Sequence, residues 1–167
     1  MPNQRGVNMA GSITVIVGPM FSGKSYELIR LINVARIAGK VVHVYKPPDR
    51  HRSKIIKSRD GNETKTKILN VGMNTEQYQA AFMEGFHYWD PVVSDFDAVL
   101  PEGGPPDIIA IDEVQFYDNE TLPAAIQKAT DAGISFILSG LSRDFGGKPF
   151  GAMASLLWMA DEIIPLI

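Results

Sequence analysis

Apolar residues occur along this chain in short runs, and between the runs they return at the spacing of helical turns. The runs are rich in β-branched residues and predict buried strands. The predicted strands lie at residues 12–17, 41–45, 107–111, 134–139 and 162–167. An i, i+3, i+4, i+7 apolar pattern predicts a helix over 26–38, which Gly39 ends. Similar patterns predict helices over 119–132 and 149–159, and a weak one over 76–85.

Strands that alternate with helices predict an α/β fold, in which a mainly parallel sheet is flanked by helices on both faces. Ligands of such sheets bind beyond the carboxyl ends of the strands. We therefore expect convergence of the loops that follow Val17, Tyr45, Ile111 and Ser139. The 167 residues have the length of one domain, which we expect to span 11–167 behind a flexible N-terminal stretch over 1–10.

Composition excludes several classes of protein. The formal net charge is −3, from 16 Lys and Arg against 19 Asp and Glu, so nucleic acid is not an expected partner of the whole chain. The chain has no Cys, which excludes disulfides and thiol catalysis, and we expect no zinc site. The sequence has neither a long apolar span nor an apolar signal core, so we expect a cytoplasmic protein without a membrane partner.

A glycine-rich segment between the first predicted strand and helix fits the phosphate-binding pattern G-x-x-x-x-G-K-[ST]. It consists of Gly18, Pro19, Met20, Phe21, Ser22, Gly23, Lys24 and Ser25. Glycines let backbone N–H groups turn toward phosphates, and the helix that follows adds its positive end. We expect Lys24 to reach the β- and γ-phosphates of ATP during catalysis and the Ser25 hydroxyl to hold Mg²⁺.

Two carboxylates follow the predicted strand over 107–111. Asp112 leaves a buried strand, where a carboxylate is costly unless it is paired or metal-bound, and we expect it to hold Mg²⁺ through water. Because side chains alternate along a strand, we expect Glu113 to point to the other face. A carboxylate there can take a proton from an attacking hydroxyl or water, which makes Glu113 the candidate general base.

These motifs leave the acceptor of the phosphoryl group open. Water as the nucleophile makes the protein an ATPase, whereas a substrate hydroxyl makes it a kinase with an acceptor pocket that excludes water. Phe145 and Phe150 follow the strand over 134–139. They either line a flat pocket for a base ring or anchor their loop on the core.

Three blocks in this order resemble the type II thymidine kinases, the RecA-like P-loop kinases of the cellular and bacterial type. The blocks are the segment over 18–25, the segment Asp112-Glu113-Val114-Gln115-Phe116, and the segment over 140–151 that begins with Gly140-Leu141 and ends with Lys148-Pro149-Phe150-Gly151. The resemblance covers about residues 11–166. It implies transfer of the γ-phosphoryl group of ATP to the 5′-hydroxyl of thymidine with Mg²⁺, by a homotetramer or dimer.

The resemblance also implies roles for single residues. Glu113 would be the base on the 5′-hydroxyl. Arg50 would be a catalytic cation beside the phosphates, with Arg52 as the second choice, although the segment that holds both is about two residues shorter than in the family. The residues that would surround the thymine are Met20, Phe116, Leu141, Phe145 and Phe150.

The chain departs from the family pattern at two places. Family members continue past the last strand into a zinc-binding subdomain built on cysteines and a lasso loop over the nucleoside, whereas this sequence stops at Ile167. In addition, Ser142 replaces the family's Asp after the Gly-Leu pair. The resemblance therefore implies a kinase domain without the zinc and lasso part, with an intact ATP half and an open thymine pocket.

Two other functions stay open at this point. A RecA-like ATPase would use Glu113 to activate water, and its basic stretch over 50–59, which includes Lys54 and Lys57, could bind a polynucleotide. The third hypothesis is a nucleotide-binding protein that no longer catalyses. The complete set of candidate catalytic and metal-binding groups in the first two motif blocks argues against that third hypothesis.

Overall fold

The computed structural model of this chain describes residues 10–47, 55–58, 61–69, 92–93, 106–143, 147 and 151–167, with the backbone alone at 67–69 and 92–93. The strands are β1 (Ile13–Val17), β2 (Val42–Lys46), β3 (Ile55–Lys57), β4 (Glu63–Lys65), β5 (Lys67–Leu69), β6 (Val92–Val93), β7 (Ile108–Ile111), β8 (Ser135–Gly140) and β9 (Glu162–Pro165). The helices are α1 (Lys24–Ile37), α2 (Thr121–Asp131) and α3 (Met153–Met159), and a 3₁₀ turn covers Val114–Phe116.

Seven of the described strands form one sheet in the order β6-β5-β2-β7-β8-β1-β9. Every neighbouring pair in this sheet is parallel. β3 and β4 form a separate antiparallel hairpin. The predicted fold class, an α/β fold with a mainly parallel sheet flanked by helices, is confirmed.

The central strands of the sheet are mostly apolar because both faces are covered by helices. On one face, Val15 and its neighbours pack against Leu122 of α2 and Leu156 of α3. On the other face, Ile16 packs in a cluster with Ile32 of α1. Alternation along each strand thus divides the core into two layers, one on each side of the sheet.

Five predicted strands and three predicted helices are present, and most of their ends lie within one or two residues of the prediction. α3 is the exception, because it starts at Met153 where the pattern predicted 149. Sequence periodicity missed the strands of two or three residues, β3 to β6, since so short a run carries no period. The weak helix predicted over 76–85 lies outside the described residues.

The β3–β4 hairpin lies against α1. Ile56 of β3 is 3% exposed and packs into the α1 cluster, and Arg36 of α1 donates a hydrogen bond from Nη1 to Oγ1 of Thr64 in β4 at 3.2 Å. The hairpin is therefore held at a set position on the helix that follows the glycine-rich loop.

Residues 1–9 lie outside the described part of the chain, and the division into a flexible N-terminus and one domain over 11–167 stays a prediction. None of the helices in the described ranges has both the length and the apolar character that a bilayer crossing needs.

Gly151 permits the sharp entry into α3. Its φ is +54°, and an added Cβ would lie 1.9 Å from the carbonyl oxygen of Gln115 and 2.6 Å from that of Tyr117. Gly39, after α1, also has a positive φ of +82°, but nothing lies within 4 Å of its added Cβ. Substitution by Ala at Gly39 therefore introduces only the unfavourable left-handed backbone. Substitution by Ala at Gly151 introduces a steric clash as well.

We expect Gly39→Ala to lower the free energy of unfolding by about 1 kcal/mol, the cost of the left-handed backbone alone. Gly151→Ala should lower it by about 3 kcal/mol or more, because the new methyl group meets rigid backbone. Urea denaturation of both variants measures the difference. Equal losses would show that the turn before α3 yields and that the close approach is not a constraint.

Candidate functional site

The loops at the carboxyl end of the sheet enclose a cavity of about 820 Å³. Its lining residues are Met20, Phe21, Ser22, Gly23, Lys24, Ser25, Tyr26, Lys57, Ser58, Asp112, Glu113, Gln115, Phe116, Gly140 and Leu141. They come from the segments that follow β1, β7 and β8, which are adjacent strands, and from the end of β3. Three of the four loops predicted to converge therefore do so. Of the fourth, after β2, residues 48–54 lie outside the described part.

The glycine-rich loop after β1 is closed by its own side chains. Ser22 Oγ donates to the carbonyl oxygen of Pro19 at 2.7 Å, and the ammonium of Lys24 donates to the same oxygen. Gly23 has a φ of 89°, and α1 begins directly after it without a side-chain cap. The first N–H groups of α1 are therefore free of a side-chain acceptor at the end of the helix that favours anions.

Two apolar side chains project from this loop. Met20 and Phe21 are large hydrophobic residues, yet Phe21 is 76% exposed and has a positive φ of 64°. A non-glycine residue in that conformation is uncommon and is found most often at binding sites. Gly18, at the start of the loop, packs tightly, since an added Cβ would lie 2.7 Å from Ser22 Oγ.

Lys24 lies within the field of both carboxylates that follow β7. Burial lowers the pKa of its ammonium, and the negative charges of Asp112 and Glu113 oppose that effect. The glycine-rich motif and the acidic motif, which lie more than 80 residues apart in the sequence, thus interact electrostatically at the cavity.

Asp112 carries a carboxylate at the inner end of the cavity. Burial raises the pKa of Asp112 above the ordinary value of 3.8. Several neighbouring groups oppose this rise. The N–H of Glu113 donates a hydrogen bond to Oδ1 at 2.9 Å, and the side chains of Lys46, Ser139 and Lys24 also lower the pKa. Lys46 ends β2 one register position beyond the paired Tyr45 and Ile111, which places it across from Asp112. Ionised Asp112 is consequently a costly group that gains from a cation.

Glu113 adopts the left-handed conformation, with φ 53° and ψ 45°. This turn ends the alternation of the strand, so Glu113 and Asp112 line the same cavity. The expectation that Glu113 points to the other face assumed an extended backbone, which Glu113 does not have, and it stays a prediction. The two carboxylates face one cavity from consecutive residues.

The residues present fit a magnesium ion. Ser25 and Asp112 supply a hydroxyl and a carboxylate to the same cavity, and oxygen donors are what Mg²⁺ prefers. No group of three His, Cys, Asp or Glu side chains among the described residues forms a metal cage. Mg²⁺ usually takes one or two carboxylates and completes its shell with water and phosphate oxygens.

The walls beside the carboxylates are apolar. Met20, Phe116 and Leu141, three of the residues predicted to surround a base, line this cavity together. Gln115 holds two of the walls together, because its Oε1 accepts the backbone N–H of Leu141 at 3.1 Å.

Other predicted site residues lie outside the described part of the chain; these are Arg50, Arg52, Phe145 and Phe150. The structure adds Tyr26, Lys57, Ser58, Gln115 and Gly140 to the lining. Gln115 belongs to the acidic motif, so its position could have been inferred from the sequence. For Lys57, the sequence offered only its position in the basic stretch over 50–59 as an indication of a role in the site. The roles of all these residues stay predictions.

A parallel α/β sheet, a phosphate-binding loop that opens α1 and an acidic pair beyond β7 define a P-loop nucleotide-binding protein. The sequence model of the thymidine kinase family matches residues 11–88 and 92–167. The chain belongs to the thymidine kinase family.

Individual relatives agree with this assignment. The thymidine kinase of Deinococcus deserti is 39% identical over 163 residues, which cover 92% of this chain and 70% of that protein. Thymidine kinases of Deinococcus radiodurans and Mycoplasmoides gallisepticum are 36% and 35% identical over 92% and 93% of this chain, and over 66% and 60% of their own lengths. This chain therefore spans about two thirds of the length of these relatives.

Among solved structures, the flagellar accessory protein FlaH from Methanocaldococcus jannaschii is similar to this chain, with a TM-score of 0.49 and 14% sequence identity. The match covers 97% of this chain and 75% of the FlaH chain. That likeness is too distant to bear on function.

Because burial raises the pKa of Asp112, its ionised form destabilises the folded chain. We expect Asp112→Asn to raise the free energy of unfolding of the nucleotide-free chain at pH 7 by about 1 kcal/mol, as removal of a strained active-site charge commonly does. The gain should shrink as the pH falls through the raised pKa toward 3.8, since the wild-type carboxyl is then protonated as well. Urea denaturation across a pH series measures it, and a gain that grows in acid would contradict the assignment.

Proposed function

We propose that this chain transfers the γ-phosphoryl group of ATP to the 5′-hydroxyl of thymidine, in the salvage of deoxynucleosides for DNA synthesis. Membership of the thymidine kinase family makes it a nucleoside kinase with ATP as its nucleotide substrate. The observation that supports the residue assignments is the convergence of Lys24, Asp112 and Glu113 on one cavity with the apolar residues Phe116 and Leu141. Phosphate-binding, acidic and base-binding groups are thus combined in a single space.

The nucleotide half of this proposal uses the glycine-rich loop. Backbone N–H groups of the loop and of the first turn of α1 bind the β- and γ-phosphates, where the helix end is positive. Lys24 moves its ammonium from the Pro19 carbonyl, to which it donates in the nucleotide-free chain, to the phosphate oxygens. Arg50, which the family resemblance places beside the phosphates, adds a second cation.

Ser25 and Asp112 hold Mg²⁺ in this proposal, Asp112 through water. When bound, the ion neutralises charge on the phosphate oxygens. Asp112 suits this role because burial raises the pKa of its carboxyl group, so a nearby cation stabilises the ionised form. Lys46 and Lys24 contribute part of that stabilisation before nucleotide binds.

Glu113 is the general base of the proposed reaction. Its carboxylate takes the proton of the 5′-hydroxyl while the nucleoside oxygen forms a bond to the γ-phosphorus and the bond to the ADP oxygen breaks. Glu113 lines the cavity from a turn with a left-handed backbone. The hydrogen bond of its N–H to Asp112 limits movement of the turn.

The thymine lies between apolar side chains in this proposal. Met20, Phe116 and Leu141 supply walls from three different segments, and the family resemblance adds Phe145 and Phe150. Aromatic and aliphatic walls suit the flat faces of a base ring.

The proposal also includes a cytoplasmic homo-oligomer, a tetramer or dimer, as the family resemblance implies. Val34 and Ile37 of α1 are exposed apolar residues.

The first experiment measures ADP release from Mg·ATP by the purified chain, with and without thymidine. We expect release that depends on thymidine, with thymidine monophosphate as the second product. Release at the same rate without thymidine would identify water as the acceptor, and the ATPase hypothesis would replace the kinase.

Glu113→Gln tests the base. We expect turnover to fall by about 10²-fold or more, which is the usual contribution of a general base, while the Kd for ATP stays within about twofold. Glu120→Gln is the matched control, since Glu120 is exposed before α2 and outside the cavity. Turnover in Glu113→Gln equal to that of the control would remove Glu113 from the mechanism.

A further inference from the structure

We propose that the side-chain amide of Gln115 recognises the base of the acceptor, by donating a hydrogen bond from Nε2 to the carbonyl oxygen at position 4 of a pyrimidine ring. The inference deepens the proposed function and rests on its nucleoside pocket, to which it adds a specificity-determining residue. A donor at this place favours thymidine, which carries an oxygen at position 4, over deoxycytidine, which carries an amino group there.

Gln115 lies between the candidate general base and the apolar walls. It belongs to the 3₁₀ turn Val114–Phe116, two residues after Glu113 and directly before Phe116. Its side chain contacts Leu141, which supplies the wall beyond β8, and all of these side chains except Val114 line the cavity. A base held by Phe116 and Leu141 is therefore adjacent to the amide of Gln115.

Both the main chain and the side chain of Gln115 are tightly held. The residue is 3% exposed. A Cβ added to Gly140 would lie 2.6 Å from Gln115 Oε1, and one added to Gly151 would lie 1.9 Å from the Gln115 carbonyl oxygen. The N–H of Phe116 also donates to the carbonyl oxygen of Glu113 at 3.2 Å, which closes the turn. A group held this way loses little entropy when it binds a ligand.

The hydrogen bond to Leu141 decides which end of the amide is left for a ligand. Gln115 Oε1 accepts the backbone N–H of Leu141 at 3.1 Å. Because a backbone N–H can only donate, the oxygen of the amide must face Leu141 and the nitrogen must face the other way. Rotation of the amide would place two donors against each other and lose the hydrogen bond. Gln115 therefore offers a donor to its surroundings and not an acceptor.

The nitrogen of the amide is open to the cavity. Among the residues that the structure describes, Leu141 is the hydrogen-bond partner of the Gln115 side chain, through Oε1 alone. Nε2 is not one of the sealed polar atoms without a partner in the described part of the chain, so it is accessible. Since the residue is buried and lines the cavity, that access is from the cavity. A donor beside apolar walls gains from an acceptor on the ligand.

The charges around Gln115 favour a neutral acceptor. Glu113 is in the same turn, and its carboxylate and that of Asp112 line the same cavity and disfavour an anion there. The phosphate-binding groups, such as Lys24, come instead from the segment beyond β1. A carbonyl oxygen on a base between the apolar walls meets both requirements, since it is uncharged and accepts hydrogen bonds.

Gln115→Met and Gln115→Glu test the proposal, with Gln127→Met and Gln127→Glu as matched controls. Gln127 is exposed on α2 and absent from the cavity lining, so each control makes the same change of side chain outside the site. Calorimetric titration without nucleotide, at pH 8 to keep the introduced carboxyl ionised, measures the Kd for thymidine and for deoxycytidine. A separate titration measures the Kd for Mg·ATP.

We expect the unaltered chain and both controls to prefer thymidine. Gln115→Met should weaken the binding of thymidine by about tenfold, without a matching loss for deoxycytidine, because one neutral hydrogen bond is removed. Gln115→Glu should reverse the preference, since its carboxylate can still accept the N–H of Leu141 while the second oxygen accepts from the 4-amino group of cytosine. The Kd for Mg·ATP should stay within about twofold in every variant, which shows that each one is folded.

Three results would overturn the proposal. An unchanged preference in Gln115→Glu would show that the amide does not contact position 4. Equal losses for both nucleosides in Gln115→Met would place the amide on a group that the two nucleosides share. A loss of Mg·ATP affinity in both Gln115 variants would make the residue a support of the whole cavity.

The same variants separate this inference from the proposed reaction. A chain that binds thymidine through Gln115 but releases no ADP from Mg·ATP would refute phosphoryl transfer and leave the inference standing. Thymidine-dependent ADP release, together with an unchanged preference in Gln115→Glu, would refute the inference and leave the proposed function standing.

Discussion

The site depends on the parallel hydrogen bonding of three central strands, β1, β8 and β7. Since their carboxyl ends meet at one edge, the phosphate loop after β1 and the acidic pair after β7 lie on either side of the end of β8. β8 ends there in Gly140, where an added Cβ would lie 2.6 Å from Gln115 Oε1 and 2.7 Å from Met153 Cε. Gly140 therefore packs closely against side chains of the acidic turn and of α3.

Around that edge of the sheet the chain contains unusual backbone conformations and a buried carboxylate. Phe21 and Glu113 are the non-glycine residues with positive φ in the described part, and both line the cavity. Asp112 carries a carboxylate whose pKa burial has raised. Each of these features costs stability in the nucleotide-free chain. The strained backbone positions and the buried carboxylate therefore lie at the same cavity as the glycine-rich and acidic motifs.

The main elements and the motif residues were predictable because their signals are local. A strand of five apolar residues or the pattern over 18–25 can be recognised without its neighbours. The β3–β4 hairpin had no such signal, since each of its strands has three residues and their pairing spans a turn. The left-handed turn at Glu113 had no signal for a related reason: the alternation rule assumes an extended backbone, and the turn leads into Val114 and Gln115, which are buried in the tertiary structure.

The sequence by itself determined the fold class, the order of strands and helices along the chain, the phosphate loop and the acidic pair. These follow from periodicity and from residue types at fixed spacing, which act over a few residues. The tertiary structure alone decided that both carboxylates share one cavity with Lys24, that Gln115 joins two of its walls and that Lys57 lines it beside the phosphate loop. Those relations join residues from about 25 to more than 80 positions apart. They depend on strand order and on the packing of a hairpin against a helix, which no local pattern encodes.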